Sequence, residues 1–137
     1  DLLEKQVVAL IQPDICHVGG ISELKKIAAM AEVYYVGVQP HNPYGPVNTM
    51  AAIQVDVGMQ NFQIQEGGNK PWFDTVVEGD FPQQVDGYYQ TPTAPGIGIN
   101  MDEEVLAANP PVELSPPEGY IKQARDLWGS KQETFWG

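Results

Sequence analysis

Three ionisable residues occupy matching places in the sequence. Asp14 follows the apolar run "VVALIQ" and a proline, His41 follows "VGVQP", and Glu66 follows "NFQIQ". A histidine held by a carboxylate is a general base of tuned basicity: the acid orients one ring nitrogen and favours the imidazolium, leaving the other nitrogen to take a proton. A neighbouring glutamate hydrogen-bonds an oxygen that gains charge, provided a proton lies between them. Many hydrolases match the same residue types. Each residue also has a purely structural reading: Asp14 as a turn cap, His41 as a hydrogen-bonded loop histidine, Glu66 as a solvated turn residue ahead of two glycines.

Chemistry at these positions requires elements that bring them together. Residues 6–12 form a short, nearly continuous apolar run, the pattern of a parallel strand covered on both faces. Residues 22–34 place Leu24, Ile27, Ala28 and Ala31 at helical spacing, with Lys25, Lys26 and Glu32 opposite. A second strand is expected at 36–39, halted by "PHNPYGP", then a helix from Val47 through Val57, then a third strand at 62–66. Successive βα units of about 25 residues predict an α/β protein with a parallel sheet. In such a sheet the carboxyl ends of all strands share one face, so Asp14, His41 and Glu66 converge.

After Glu66 the pattern changes. Gly and Pro recur every few residues, with a short β-like piece at 87–90, a short acid-capped helix at 102–108, and a helix at 115–129 announced by Ser115 and Glu118 as a capping box. The expected division is therefore 1–66 as strand–helix units and 67–137 as an irregular segment with short strands and helices. Trp72, Phe73, Trp128 and Trp136 are expected to pack within that segment.

Cys16 and His17 are adjacent, so in an extended segment they point to opposite faces and make poor joint ligands for one zinc ion. His17 reaches either a pocket rim or a packing position. Gly19 and Gly20 read as a tight corner before the helix, although exposed N–H groups there could also meet an anion.

The net charge of −11, from 7 basic and 18 acidic residues among 137, opposes binding to nucleic acid. No apolar run reaches the roughly 20 residues of a membrane span, so no membrane partner is expected. A single cysteine suits a reducing compartment, and a cytoplasmic location is expected. The opening "DLLEK" reads as the last turn of a helix begun earlier, so the chain is expected to be a piece of a longer protein.

"IQPDICHVGGISELKKIAAMAE", "VQPHNPYGP" and "NFQIQE", in that order, resemble the last three strand units of the mandelate racemase/muconate lactonizing branch of the enolase superfamily, and within it the D-galactonate dehydratase type of acid-sugar dehydratase. "PGIGINMDEEVL" extends the likeness to about Leu106. The resemblance implies the C-terminal part of a (β/α) TIM-type barrel. It also implies a lyase that removes the proton α to a carboxylate and eliminates the β-hydroxyl, giving a 2-keto-3-deoxy sugar acid.

On this resemblance Asp14 matches the carboxylate paired with the catalytic histidine, His41 that histidine, and Glu66 the glutamate near the substrate carboxylate; His17, Pro43 and Tyr44 are assigned to substrate binding. Asn42 and Tyr44 depart from the family pattern, in which Cys and Leu are familiar, and bear on pocket shape. The cofactor implied is Mg²⁺, held by carboxylates on upstream strands and by none in this chain, with a capping domain also upstream. The partners implied are a small sugar acid and further copies in a homo-oligomer. A racemase or epimerase of the same superfamily and a non-catalytic α/β ligand-binding module remain as alternatives.

Overall fold

The computed structural model describes residues 1–67, 71–79 and 81–110. Its elements run β1 (Leu10–Ile11), α1 (Ile21–Val33), β2 (Gly37–Val38), α2 (Pro46–Asp56), α3 (Pro71–Val76) and α4 (Glu103–Ala108). The expected helix at 115–129, with Trp128 and Trp136, lies outside the described residues.

β1 and β2 are parallel, Leu10 opposite Gly37 and Ile11 opposite Val38. A further parallel bridge joins Asp14 to His41. All three pairs keep the same offset of 27 residues. The backbone bonds are continuous across it: Gly37 N–H donates to Ala9 O, Gln39 N–H to Ile11 O and His41 N–H to Pro13 O, at 3.0, 3.0 and 3.1 Å.

β1 is not covered on both faces as its apolar run predicts. Leu10 is 37% exposed and Val7 62%, and Gln6 takes a left-handed φ of 48°, which ends the extended conformation. Among the described residues the sheet has two strands, so β1 has one hydrogen-bonded neighbour. The expected third strand is reduced to a single parallel bridge between Val38 and Phe62. Val38 N–H donates to Asn61 O and Gln63 N–H to Val38 O; the next donor on β2 would be residue 40, a proline with no N–H to give.

α1 begins after Gly19 and Gly20, whose φ values of 103° and 90° turn the chain sharply out of the strand end. It buries Leu24, Ala28 and Ala31, spaced 4 and 3 apart on one face. Complete burial of Leu24 contributes roughly 2 kcal/mol by area. α2 starts on Pro46, whose fixed φ suits a first helical position, and is buried along most of its length.

Of three apolar clusters, two are built on α2 and the third packs α1 against β2 and the residues just before it. Ile15 and Leu24 pack with Ala51 and Val55, and Ala28 and Ala31 with Val36 and Val38. Met50 and Ile53 pack with Phe73, Val76, Val77 and Phe81. The segment after Glu66 thus closes onto α2. Phe81 meets Phe73 edge-on at 4.9 Å and Tyr89 at 6.3 Å. Of the two expected packing aromatics described here, Phe73 is 2% exposed, whereas Trp72, one position away on α3, is 45% exposed. α3 itself was not expected from the Gly/Pro-rich pattern. α4 is capped as its sequence predicts, Asp102 Oδ1 accepting from Val105 N–H at 3.0 Å.

Among the described residues no helix is long and apolar enough to cross a membrane.

Candidate active site

The constant offset places Asp14 and His41 side by side where the β1–β2 ladder ends. Asp14 is 6% exposed. Its Oδ1 accepts the Cys16 backbone N–H at 2.8 Å, so it does cap the following turn; its Oδ2 lies 2.8 Å from His41 Nδ1. A carboxylate only accepts, which puts a proton on Nδ1 and leaves Nε2 as the reactive nitrogen of the neutral ring.

Nε2 lies 3.9 Å from Glu66 Oε2, with the His41 side chain 43% exposed and Glu66 40%. That gap is too long for a hydrogen bond. Both groups are open to a ligand that touches each. Glu66 is placed by the second register: Val38 sits opposite Phe62, an offset of 24, and the same offset carries Asn42 to Glu66. Asn42 N–H donates to Glu66 Oε2 at 2.8 Å, and the Asn42 side-chain amide donates to Glu66 O at 3.1 Å. Gln65 Nε2 also donates to Glu66 O, at 2.6 Å. The structure therefore brings Asp14, His41 and Glu66 together.

His17 and Tyr44 pair with each other, the Tyr44 hydroxyl bonded to His17 Nε2 and the rings 5.6 Å apart. Both are exposed, as is Pro43 in the same loop. Cys16 is exposed; slight burial and then the Asp14 charge push its thiol pKa up, away from a reactive thiolate.

Sequence reasoning treated Asn42 only as a departure in pocket shape, yet it is buried and bonded to both ends of Glu66. The available signal was "HNPYGPVNT", two asparagines and a threonine flanking a helix start. Asp56 was missed altogether. It is 7% exposed, neither carboxyl oxygen has a hydrogen-bond partner, and burial raises its pKa to about 7.

Among the described residues no three His, Cys, Asp or Glu side chains gather as metal ligands. Asp14 is committed to His41 and the Cys16 amide, and Glu66 Oε2 accepts from Asn42. This donor set does not fit Mg²⁺, which needs several oxygen ligands at one point.

A family model described as "Enolase C-terminal domain-like" matches residues 1–105. The chain belongs to this enolase family. Its resemblance to the mandelate racemase/muconate lactonizing branch is matched by solved structures. One is a mandelate racemase/muconate lactonizing enzyme from Sulfitobacter sp., at TM-score 0.73 and 35% identity over 83% of this chain and 28% of that one. Another is an enolase from Agrobacterium radiobacter, with Na and L-malate bound, at TM-score 0.70 and 37% identity over 85% and 33%. The D-galactonate dehydratase of Cronobacter sakazakii is 41% identical over 114 residues, 78% of this chain and 30% of that protein. The D-xylonate dehydratase of Haloferax volcanii is 38% identical over 111 residues, 79% and 26%. This enolase-family chain thus spans about 30% of the length of the first of these curated relatives. The described residues are a small α/β piece that matches part of the barrel-like enolase C-terminal fold of its structural neighbours.

Proposed function

We propose that the chain is the C-terminal part of an acid-sugar dehydratase, contributing the last three βα units of a TIM-type barrel. The observation that carries the reading is the bond between His41 Nδ1 and Asp14 Oδ2 at 2.8 Å, with His41 Nε2 turned towards Glu66 at 3.9 Å. Relatives named D-galactonate and D-xylonate dehydratase support the substrate class, a polyhydroxy carboxylic acid.

In this reading His41 Nε2 takes the proton α to the substrate carboxylate, or delivers a proton on the opposite face. Asp14 keeps the ring oriented and offsets the charge it gains. Glu66 hydrogen-bonds a substrate carboxylate oxygen as negative charge develops there, a role that requires a proton between the two oxygens. The electron pair released from the C–H bond forms the carbon–carbon double bond, the β-hydroxyl takes up a proton and leaves as water, and the enol tautomerises to the 2-keto-3-deoxy acid.

Mg²⁺, if used, takes its ligands from residues other than those described here, and the described segment by itself does not turn over substrate. A small sugar acid is the partner, and a cytoplasmic homo-oligomer is the expected form of the complete protein.

The test is His41→Gln in the full-length protein, assayed with a panel of sugar acids and Mg²⁺. A fall in turnover of about 10²–10⁴-fold is expected of a lost general base; unchanged turnover removes His41 from the chemistry. Exchange of the α proton with deuterated solvent without loss of water would instead assign a racemase or epimerase. Binding of a sugar acid without metal or exchange would assign a non-catalytic module.

A further inference from the structure

Beside the candidate site lies a buried polar cluster that the proposed chemistry does not use. Asn42, Asn48 and Thr49 are 4%, 3% and 1% exposed. The Asn42 amide is saturated in three directions. Its Oδ1 accepts from Asn48 Nδ2 at 2.9 Å, and its Nδ2 donates to Thr49 Oγ1 at 2.9 Å and to Glu66 O at 3.1 Å. Thr49 in turn donates its hydroxyl to Gly45 O at 3.2 Å. The first turns of α2 therefore grip Asn42, and Asn42 grips Glu66 at its carbonyl and, through its own backbone N–H, at its carboxylate.

Resting on the reading in which Glu66 and His41 face substrate together, we propose that Asn42 is a positioning residue. Held by Asn48 and Thr49, it sets where the Glu66 carboxylate stands relative to the His41 imidazole. Burying an amide and a hydroxyl so completely costs free energy unless each polar atom finds a partner. Asn48 Oδ1 stays unpaired, but every polar group of the Asn42 side chain is bonded, and two of the bonds of Asn42 run to one glutamate at the strand end. Gly67 shows how close the approach is: a Cβ there would lie 3.0 Å from Asn42 Nδ2, at a φ of 146°. The ladder cannot supply this placement, because Pro40 has no N–H to continue it.

The experiment uses the full-length protein and removes a support of Asn42 without touching His41 or Glu66. Thr49→Val keeps the shape and deletes the hydroxyl; Thr49→Ser restores it. Thr49→Val is expected to lower kcat by about 10-fold or more with KM changed by less than about threefold, as a misplaced catalytic group does. Thr49→Ser is expected to return kcat to within about threefold of the parent. Asn48→Ala, which removes the donor to Asn42 Oδ1, is expected to repeat the kcat loss, and it decides the matter if Thr49→Val does not fold. Parental kcat in the folded variants, with His41→Gln inactive, overturns the inference and leaves the functional reading intact. Retained turnover in His41→Gln overturns both.

Discussion

His41 Nδ1 and Asp14 Oδ2 stand 2.8 Å apart on two parallel strand ends whose paired residues keep one offset from Leu10–Gly37 to Asp14–His41. The contact is an outcome of register. Once the apolar residues of β1 and β2 align, the acid and the imidazole fall opposite each other on the same rung.

Asp14→Asn tests what the carboxylate contributes beyond shape. The acid accepts from two donors, Cys16 N–H and His41 Nδ1; an amide has one oxygen and satisfies only one of them. Loss of a buried acceptor is expected to cost about 1–3 kcal/mol of stability, and the disturbed ring to lower kcat by about 100-fold or more in the full-length protein. Denaturant titration and steady-state kinetics measure the two separately.

Asp56 makes stability depend on pH. Burial raises its pKa from 3.8 to about 7 in the folded chain, while the unfolded chain keeps the ordinary value. Between roughly pH 4 and pH 7 the folded state therefore binds the extra proton, so this group's contribution to stability falls as pH rises through that window and is flat above it. Asp56→Asn is expected to remove the slope and to stabilise the protein above pH 7 by at most about 4 kcal/mol. Melting both proteins across the window checks it; equal slopes would refute it.

Phe81 holds the segment after Glu66 on α2, fully buried between Phe73 and Tyr89. Phe81→Ala is expected to cost about 3–5 kcal/mol, because the rings around it cannot close the space. Chemical denaturation of the variant measures the loss.

Gly20 and Gly45 both precede helices, and a Cβ at either would meet nothing within 4 Å. Only Gly20 has a left-handed φ, 90° against −92° at Gly45. Gly20→Ala is expected to destabilise by about 1–2 kcal/mol more than Gly45→Ala, since the two share every other consequence of the added methyl. Equal melting temperatures for the two variants would contradict this.

The strand ends were legible because apolar runs stop at polar residues next to prolines, at Asp14 and His41, and the helices because Leu24, Ala28 and Ala31 repeat on one face. The offset of 27 was not legible. It depends on how far α1 and its corner carry the chain before β2 returns, which residue types do not encode one at a time. The third strand was overdrawn: its apolar alternation is real, but pairing needs a donor on the neighbour, and Pro40 has none.

α3 was hidden by surrounding Gly and Pro, although Pro71 in its first turn is itself a helix-start signal. Asp86 and Gly87, at φ 52° and 83°, make the tight reversal that lets Val85 and Tyr88 exchange both backbone bonds, so the β-like piece expected at 87–90 begins on a turn residue and pairs through Tyr88. The bonds of Asn42 and the isolation of Asp56 are tertiary facts. No spacing in the sequence reports which polar atom finds a partner.

Pro40 also divides the site mechanically. On the Asp14 side the imidazole is laced to its acid by a main-chain rung, His41 N–H to Pro13 O. On the Glu66 side beyond Gln63, contacts run through the amides of Asn42 and Gln65 and one carboxylate. The glutamate's place is thus held by side chains that a single substitution can release while the sheet stays zipped, whereas moving Asp14 away from His41 would mean unthreading a strand. One arm of the site is secured by side chains, the other by the backbone.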